Sequence, residues 1–156
     1  MQVNQQIFIL AVSVAVVSTA VFLLIFFFIK ARRLQRALKE SALDGLEGHD
    51  FEFFCADLLE SRGFLDVEVT KASRDYGVDI LAEKDGVTYA IQCKRYEGPV
   101  GVKAVQEAYA GRDYYERMVG VVMTNQYFTQ PAVEVAGKLR ILLWDRAYLA
   151  AMLEEE

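Results

Sequence analysis

The first 29 residues of this 156-residue chain contain no charged side chain. The gap is densest from Ile7 to Ile29, "IFILAVSVAVVSTAVFLLIFFFI", where only Ser13, Ser18 and Thr19 break the apolar run. A core helix of this length would show a polar face, so the pattern excludes an ordinary amphipathic helix of a globular domain. As a helix the 23 residues would measure about 35 Å, enough to cross a hydrocarbon layer of about 30 Å with some tilt. One transmembrane helix is therefore expected, with residues 1–29 as the anchor. Bases are also missing ahead of the run, whereas Lys30, Arg32, Arg33, Arg36 and Lys39 follow it directly. With no basic leader, an overlong apolar stretch and no small-residue cleavage site after it, a cleaved signal peptide does not fit. The charge asymmetry puts the N-terminus outside and everything from Lys30 onward in the cytoplasm. The expectation is a single-pass protein of the cell inner membrane, with the lipid bilayer as one partner.

Histidine and cysteine are scarce too. His49 is the only histidine, which excludes the usual zinc clusters and suggests nothing more than a residue of the loop before the first helix. Cys55 and Cys93 lie in apolar surroundings on the reducing side of the membrane, so free buried thiols are expected, not a disulfide. Basic charge is the third shortage. Of the chain's 17 bases and 22 acids, five and one fall in residues 30–40, which leaves 12 and 21 for residues 41–156, a net of −9. An acidic domain is a poor electrostatic match for nucleic acid or anionic lipid, so strong non-specific binding is not expected.

What remains is long enough for one compact domain. Residues 30–47 read as a basic juxtamembrane stalk closed by the glycines of "DGLEGHD", and residues 48–156 as the domain. "HDFEFFCADLLESRGF" spaces Phe51, Phe54, Cys55, Leu58 and Leu59 as one helical face, with Asp50 as N-cap and Gly63 as stop. "DVEVTK" alternates like a half-buried strand. "YGVDILAEKDGVTYAIQCKRY" holds two β-rich runs joined at Asp85-Gly86, a strong hairpin signal. A helix follows, with Val102, Val105, Ala108, Tyr109 and Tyr115 on one face. "MVGVVMTN" then reads as a strand buried on both sides, Thr129-Pro131-Ala132 as a helix start, "RILLWD" as a strand and "RAYLAAMLEEE" as a last helix. The order αβββαβαβα implies one mixed α/β sheet covered by helices on both faces.

A two-residue turn at Asp85-Gly86 pairs Lys84 with Val87 and carries the register back to Asp79 opposite Gln92 and Gly77 opposite Lys94. Asp79, Gln92 and Lys94 then share one face, while Val78, Ile80, Ile91 and Cys93 point to the other. A carboxylate, an amide oxygen and the main-chain carbonyl of Cys93 suit Mg²⁺, and Lys94 suits the attacking water or charge developing on a phosphate. A cross-strand ion pair between Asp79 and Lys94, with Gln92 as an edge residue, is the simpler alternative. Arg95 and Lys103 are either phosphate contacts or solvated charges. Tyr109, Tyr114 and Tyr115 read as packing more readily than as a base-stacking platform.

"GVD" followed by "QCKRY", with "FEFFCADLLESRGF" before and "GPVGVKAVQEAYAGRDYYE", "VVMTN" and "LWDR" after, resembles the catalytic domain of the Mrr-like restriction endonucleases. These belong to the PD-(D/E)XK nuclease superfamily, in a branch where Gln replaces the acid before X-Lys. The resemblance runs from about Gly48 to Leu153. It implies a restriction-endonuclease-like fold and Mg²⁺-dependent hydrolysis of DNA, with no small-molecule cofactor. It makes Asp79 the metal-binding aspartate, Gln92 and Lys94 the Gln-x-Lys pair, and Glu52 the first-helix glutamate that helps to hold the metal. Glu52 at the border of its helix's apolar stripe fits that role, and equally fits a first-turn acid favoured by the helix dipole. The family's separate DNA-recognition domain has no counterpart here; an anchor and stalk stand in its place. Weak intrinsic affinity is then expected, offset by tethering, by homo-oligomerisation through the anchor or by a partner. The alternative is a nuclease fold of little or no activity that binds nucleic acid or a protein at the membrane.

Overall fold

The structure is a computed structural model and describes residues 17–30, 44–70 and 76–154. The chain divides into two compact units, residues 1–38 and 39–156. In the first, residues 17–30 are helical and their apolar side chains are exposed. Among the described residues no helix is long and apolar enough to cross a membrane. Residues 7–16 of the expected span and residues 31–43 of the expected stalk lie outside the described residues.

The second unit holds four helices and five strands among its described residues: α1 Gly48–Ser61, β1 Leu65–Val69, β2 Ile80–Lys84, β3 Val87–Lys94, α2 Val102–Tyr114, β4 Val119–Thr124, α3 Gln130–Leu139, β5 Ile141–Trp144 and α4 Arg146–Glu154. The strands form one sheet in sequence order. The first three are antiparallel neighbours, and β4 and β5 add on parallel to β3. Parallel neighbours need a crossover, and α2 and α3 supply the two required.

Each face of the sheet buries its own core. Phe51, Cys55 and Leu59 of α1, with Leu149 and Met152 of α4, pack on Ile80, Ile91, Cys93, Val121, Met123 and Trp144. On the other face Ala104, Val105 and Ala108 of α2 and Ala132 and Ala136 of α3 pack on Val122 and Ile141. Small residues on these helices let their backbones approach the sheet closely. At Gly111 an added Cβ would stand 2.3 Å from the Val78 side chain.

Two boundaries differ from expectation. Helix α1 starts at Gly48 with Glu47 as N-cap, three residues before the expected cap, so Asp50 lies in the first turn. An acid there is favoured by the unpaired N–H groups of the helix end. The hairpin register is the expected one, with Lys84 opposite Val87 and Ile80 opposite Ile91. Asp85 (φ 54°) and Gly86 (φ 77°) both take positive φ, as a type I′ turn demands. The ladder stops at Ile80, however. Tyr76 (φ 44°) and Gly77 (φ 82°) turn the chain off the pleat, so Gly77 is not a strand partner of Lys94. Val78 packs with Leu81 and Ala90 beside Tyr115, not with Cys93 as strict alternation required.

Candidate active site

The end of the β2–β3 ladder creates the site. Asp79 is fixed by its backbone, donating its N–H to Ile91 O at 2.8 Å and accepting from Thr70 N at 2.8 Å. With β2 no longer alongside, the amide of Cys93 is taken up by a side chain: it donates to Asp79 Oδ2 at 2.6 Å. The Gln92 amide nitrogen donates to the same oxygen and, at 3.4 Å, to Cys93 O. Asp79 is 7 % exposed and Gln92 4 %. A carboxylate this buried is tolerable only because donors surround it.

A cleft of about 340 Å³ opens here, lined by Glu52, Gly77, Asp79, Gln92, Cys93, Lys94 and Glu107. The expected set Glu52, Asp79, Gln92 and Lys94 thus borders one space. Glu52 enters from α1, where its carboxylate meets His49 Nδ1 at 3.0 Å. His49 accordingly belongs to the first turn of α1 and holds Glu52, and the loop role expected for it is corrected. Lys94 Nζ lies 2.8 Å from Glu107 Oε2, so its direct partner is on α2 and not Asp79.

Burial pulls the Lys94 ammonium towards neutrality, but the hydrogen bond and charge of Glu107, with the field of Asp79, outweigh it and leave its pKa raised. Lys94 is thus held as a hydrogen-bond donor to Glu107. The Cys93 thiol faces away into the core beside Cys55. The Cys55 hydrogen bond and burial push its pKa well up, so it stays protonated and only the Cys93 main chain belongs to the site.

Among the described residues no three His, Cys, Asp or Glu side chains form a metal cluster by themselves. The donors that do converge are hard oxygens: the Asp79 carboxylate, the Cys93 carbonyl, the Gln92 amide oxygen after a half-turn of its side chain, and Glu52. With no imidazole or thiolate among them, the set fits a hard divalent cation such as Mg²⁺.

The other expected contacts lie at the margin. The Arg95 guanidinium donates to Asp44 O, and Lys103 is an 88 % exposed side chain 3.7 Å from Glu107 Oε1. Tyr115 packs inside, whereas Tyr114 stacks on Tyr76 at the surface, ring centroids 3.9 Å apart. Glu107 was not foreseen. The one signal for it is its place four residues after Lys103 on a helix, and that spacing describes a solvated pair equally well.

A family profile described as restriction endonuclease, the Mrr catalytic domain, matches residues 43–153. Three solved structures share the fold. A protein of unknown function, AF1548, is 28 % identical with a TM-score of 0.54, over 62 % of this chain and 57 % of that one. The DNA modification-dependent restriction endonuclease AspBHI is 20 % identical with a TM-score of 0.57, over 73 % of this chain and 34 % of its own. MspJI restriction endonuclease, solved in complex with a 27-mer oligonucleotide, is 19 % identical with a TM-score of 0.55, over 79 % and 31 %. The chain thus spans between about a third and three fifths of the proteins it resembles. A search of curated proteins found no match. Residues 43–153 carry the match, and they hold the whole sheet and cleft; the chain belongs to the restriction endonuclease family, through a catalytic domain of the Mrr type.

Proposed function

We propose that the chain is a membrane-anchored, Mg²⁺-dependent endonuclease that hydrolyses DNA phosphodiester bonds with a Gln-x-Lys variant of the family's site. The observation that carries this reading is the meeting of Asp79, Gln92 and Lys94 where the β2–β3 ladder ends, in a cleft open to Glu52. Asp79 and the Cys93 carbonyl, with Gln92 and Glu52, would hold the cation, which when bound supplies Lewis-acid polarisation of the scissile phosphate. Lys94 donates hydrogen bonds to the phosphate oxygens as negative charge grows on them, and orients the attacking water. Asp79 in turn is held by the Cys93 amide, so its carboxylate needs little reorganisation. The family membership and the oligonucleotide complex of MspJI support DNA as the substrate class.

The anchor is residues 7–29, with the domain on the cytoplasmic side of the inner membrane and self-association through the anchor; the uncharged run and the bases after it support this. Reporter fusions at the two termini test it, and an external C-terminus would remove it. The catalytic reading is tested with the purified full chain in detergent, incubated with plasmid and Mg²⁺, with EDTA, and as Lys94→Ala. Nicking or linearisation is expected only for the first, with the variant slower by at least about a hundredfold. A wild-type chain that leaves the plasmid intact, or a variant that cuts as fast, sinks this reading.

The second reading, a nuclease fold of low turnover, is favoured by one observation: Lys94 and Glu52 are already engaged, by Glu107 and His49.

A further inference from the structure

We propose that Glu107 is a positioning residue for Lys94: its carboxylate holds the ammonium on the α2 side of the cleft and keeps it from closing onto Asp79. The inference rests on the nuclease reading and adds to it a residue outside the hairpin. Lys94 lies beside two carboxylates, Asp79 from β3's antiparallel flank and Glu107 from α2, the helix that covers its own face of the sheet. The lysine bridges to Glu107 Oε2 at 2.8 Å. Were Glu107 absent, Asp79 and Glu52 would be the carboxylates left lining the same cleft, and Asp79 is the one whose charge already acts on Lys94. A lysine drawn onto Asp79 would occupy the oxygens that the cation needs and withdraw its donors from the phosphate.

Glu107 is built for a fixed role. Its side chain is 30 % exposed and that of Lys94 20 %, so the pair is shielded more than a surface ion pair. Its main chain is locked to the loop that carries Asp79: at Gly77 an added Cβ would stand 2.7 Å from Glu107 O. The distance between the Asp79 loop and the Glu107 carboxylate is therefore set by direct backbone packing. The other carboxylate oxygen, Oε1, faces Lys103 Nζ at 3.7 Å. Glu107 thus spends one oxygen on each lysine, and the Lys94 ammonium, with three N–H groups, retains two for a phosphate and a water.

The test uses the purified full chain in detergent with three variants. Glu107→Ala and Glu107→Gln are expected to lower kcat for plasmid nicking by about tenfold or more while KM changes less than about threefold, with Glu107→Asp partly restoring kcat. A merely structural ion pair would lower the melting temperature and the active fraction without changing turnover per folded molecule, so each variant is titrated for folded fraction. The second readout needs no cleavage. With ¹⁵N-lysine labelling, the Lys94 ammonium, assigned by its absence in Lys94→Gln, is expected to give a slowly exchanging signal that Glu107→Ala moves or broadens. Unchanged turnover in Glu107→Ala overturns the proposal, as does an unchanged Lys94 signal. If the wild-type chain does not cut, the nuclease reading fails by itself, and the ammonium signal still decides whether Glu107 places Lys94.

Discussion

Asp79 and Gln92 form the part of the site most sensitive to one added charge. The Gln92 amide donates to an Asp79 oxygen that already accepts from the Cys93 amide, so this neutral side chain adds a donor and no second charge beside a buried carboxylate. Glutamate at this position would set two carboxylates against each other in a pocket shielded from water. One of them would retain a proton above the ordinary carboxylate range. The folded state would then bind more protons than the unfolded one, and stability would fall as pH rises. Gln92→Glu is expected to cost about 1–3 kcal/mol at pH 7.5 and clearly less at pH 5. Mg²⁺ should restore more stability to this variant than to the wild type. Thermal melts at the two pH values, with and without the ion, read all three effects; a variant indifferent to Mg²⁺ would show that Asp79 and position 92 do not share a cation.

Among the elements, the hairpin was legible before any coordinates because Asp85-Gly86 permits essentially one short turn, and that turn fixes every pair down to Ile80 and Ile91. The hydrophobic runs likewise announced β3 and β4 as buried strands between two helical layers. Two kinds of information were not in the pattern. The exit from the pleat at Tyr76-Gly77 depends on positive φ at a residue other than glycine, which no periodicity reports; it moved Val78 to the α2 side. Glu107 joins the site because α2 crosses over the end of β3, so its relation to Lys94 is tertiary and 13 residues distant in sequence. The two glycines of this region separate the effects. Gly86 (φ 77°) has open space around an added Cβ, whereas at Gly77 (φ 82°) it would meet Glu107 O at 2.7 Å. Gly86→Ala should cost about 1 kcal/mol of stability and leave cleavage unchanged. Gly77→Ala should cost about 2–4 kcal/mol, from the same strain plus a backbone clash, and lower kcat as the Asp79 loop shifts from α2. Urea unfolding and plasmid nicking of both variants check this, and equal effects would mean that the Gly77–Glu107 contact does not hold the site.

For the molecule as a whole, charge limits how DNA can be held. Residues 41–156 carry 12 bases against 21 acids, and among the described residues the bases at the cleft and its margin are shared: Lys94 and Lys103 with Glu107, Arg95 with Asp44 O. Among the described residues these three bases could neutralise about three phosphates around the cleft, so their contribution to the slope of log K against log salt should be about 3 in magnitude. A dedicated DNA reader making six or more contacts would give a slope twice as steep. Five further bases occupy residues 30–40, and they offer a different outcome. If binding by the full chain is steeper than this contribution, and if neutralising Lys30, Arg32, Arg33, Arg36 and Lys39 brings it back, the juxtamembrane segment and not the cleft supplies the affinity. Fluorescence anisotropy with a labelled duplex, with Ca²⁺ replacing Mg²⁺ to prevent turnover, measures the slope between 50 and 200 mM salt, the interval over which phosphate-dominated binding changes most. A shallow slope that the five substitutions leave unchanged would instead place recognition in the cleft itself. The low affinity would then have to be offset by confinement at the membrane, which raises the local concentration of sites without any new contact.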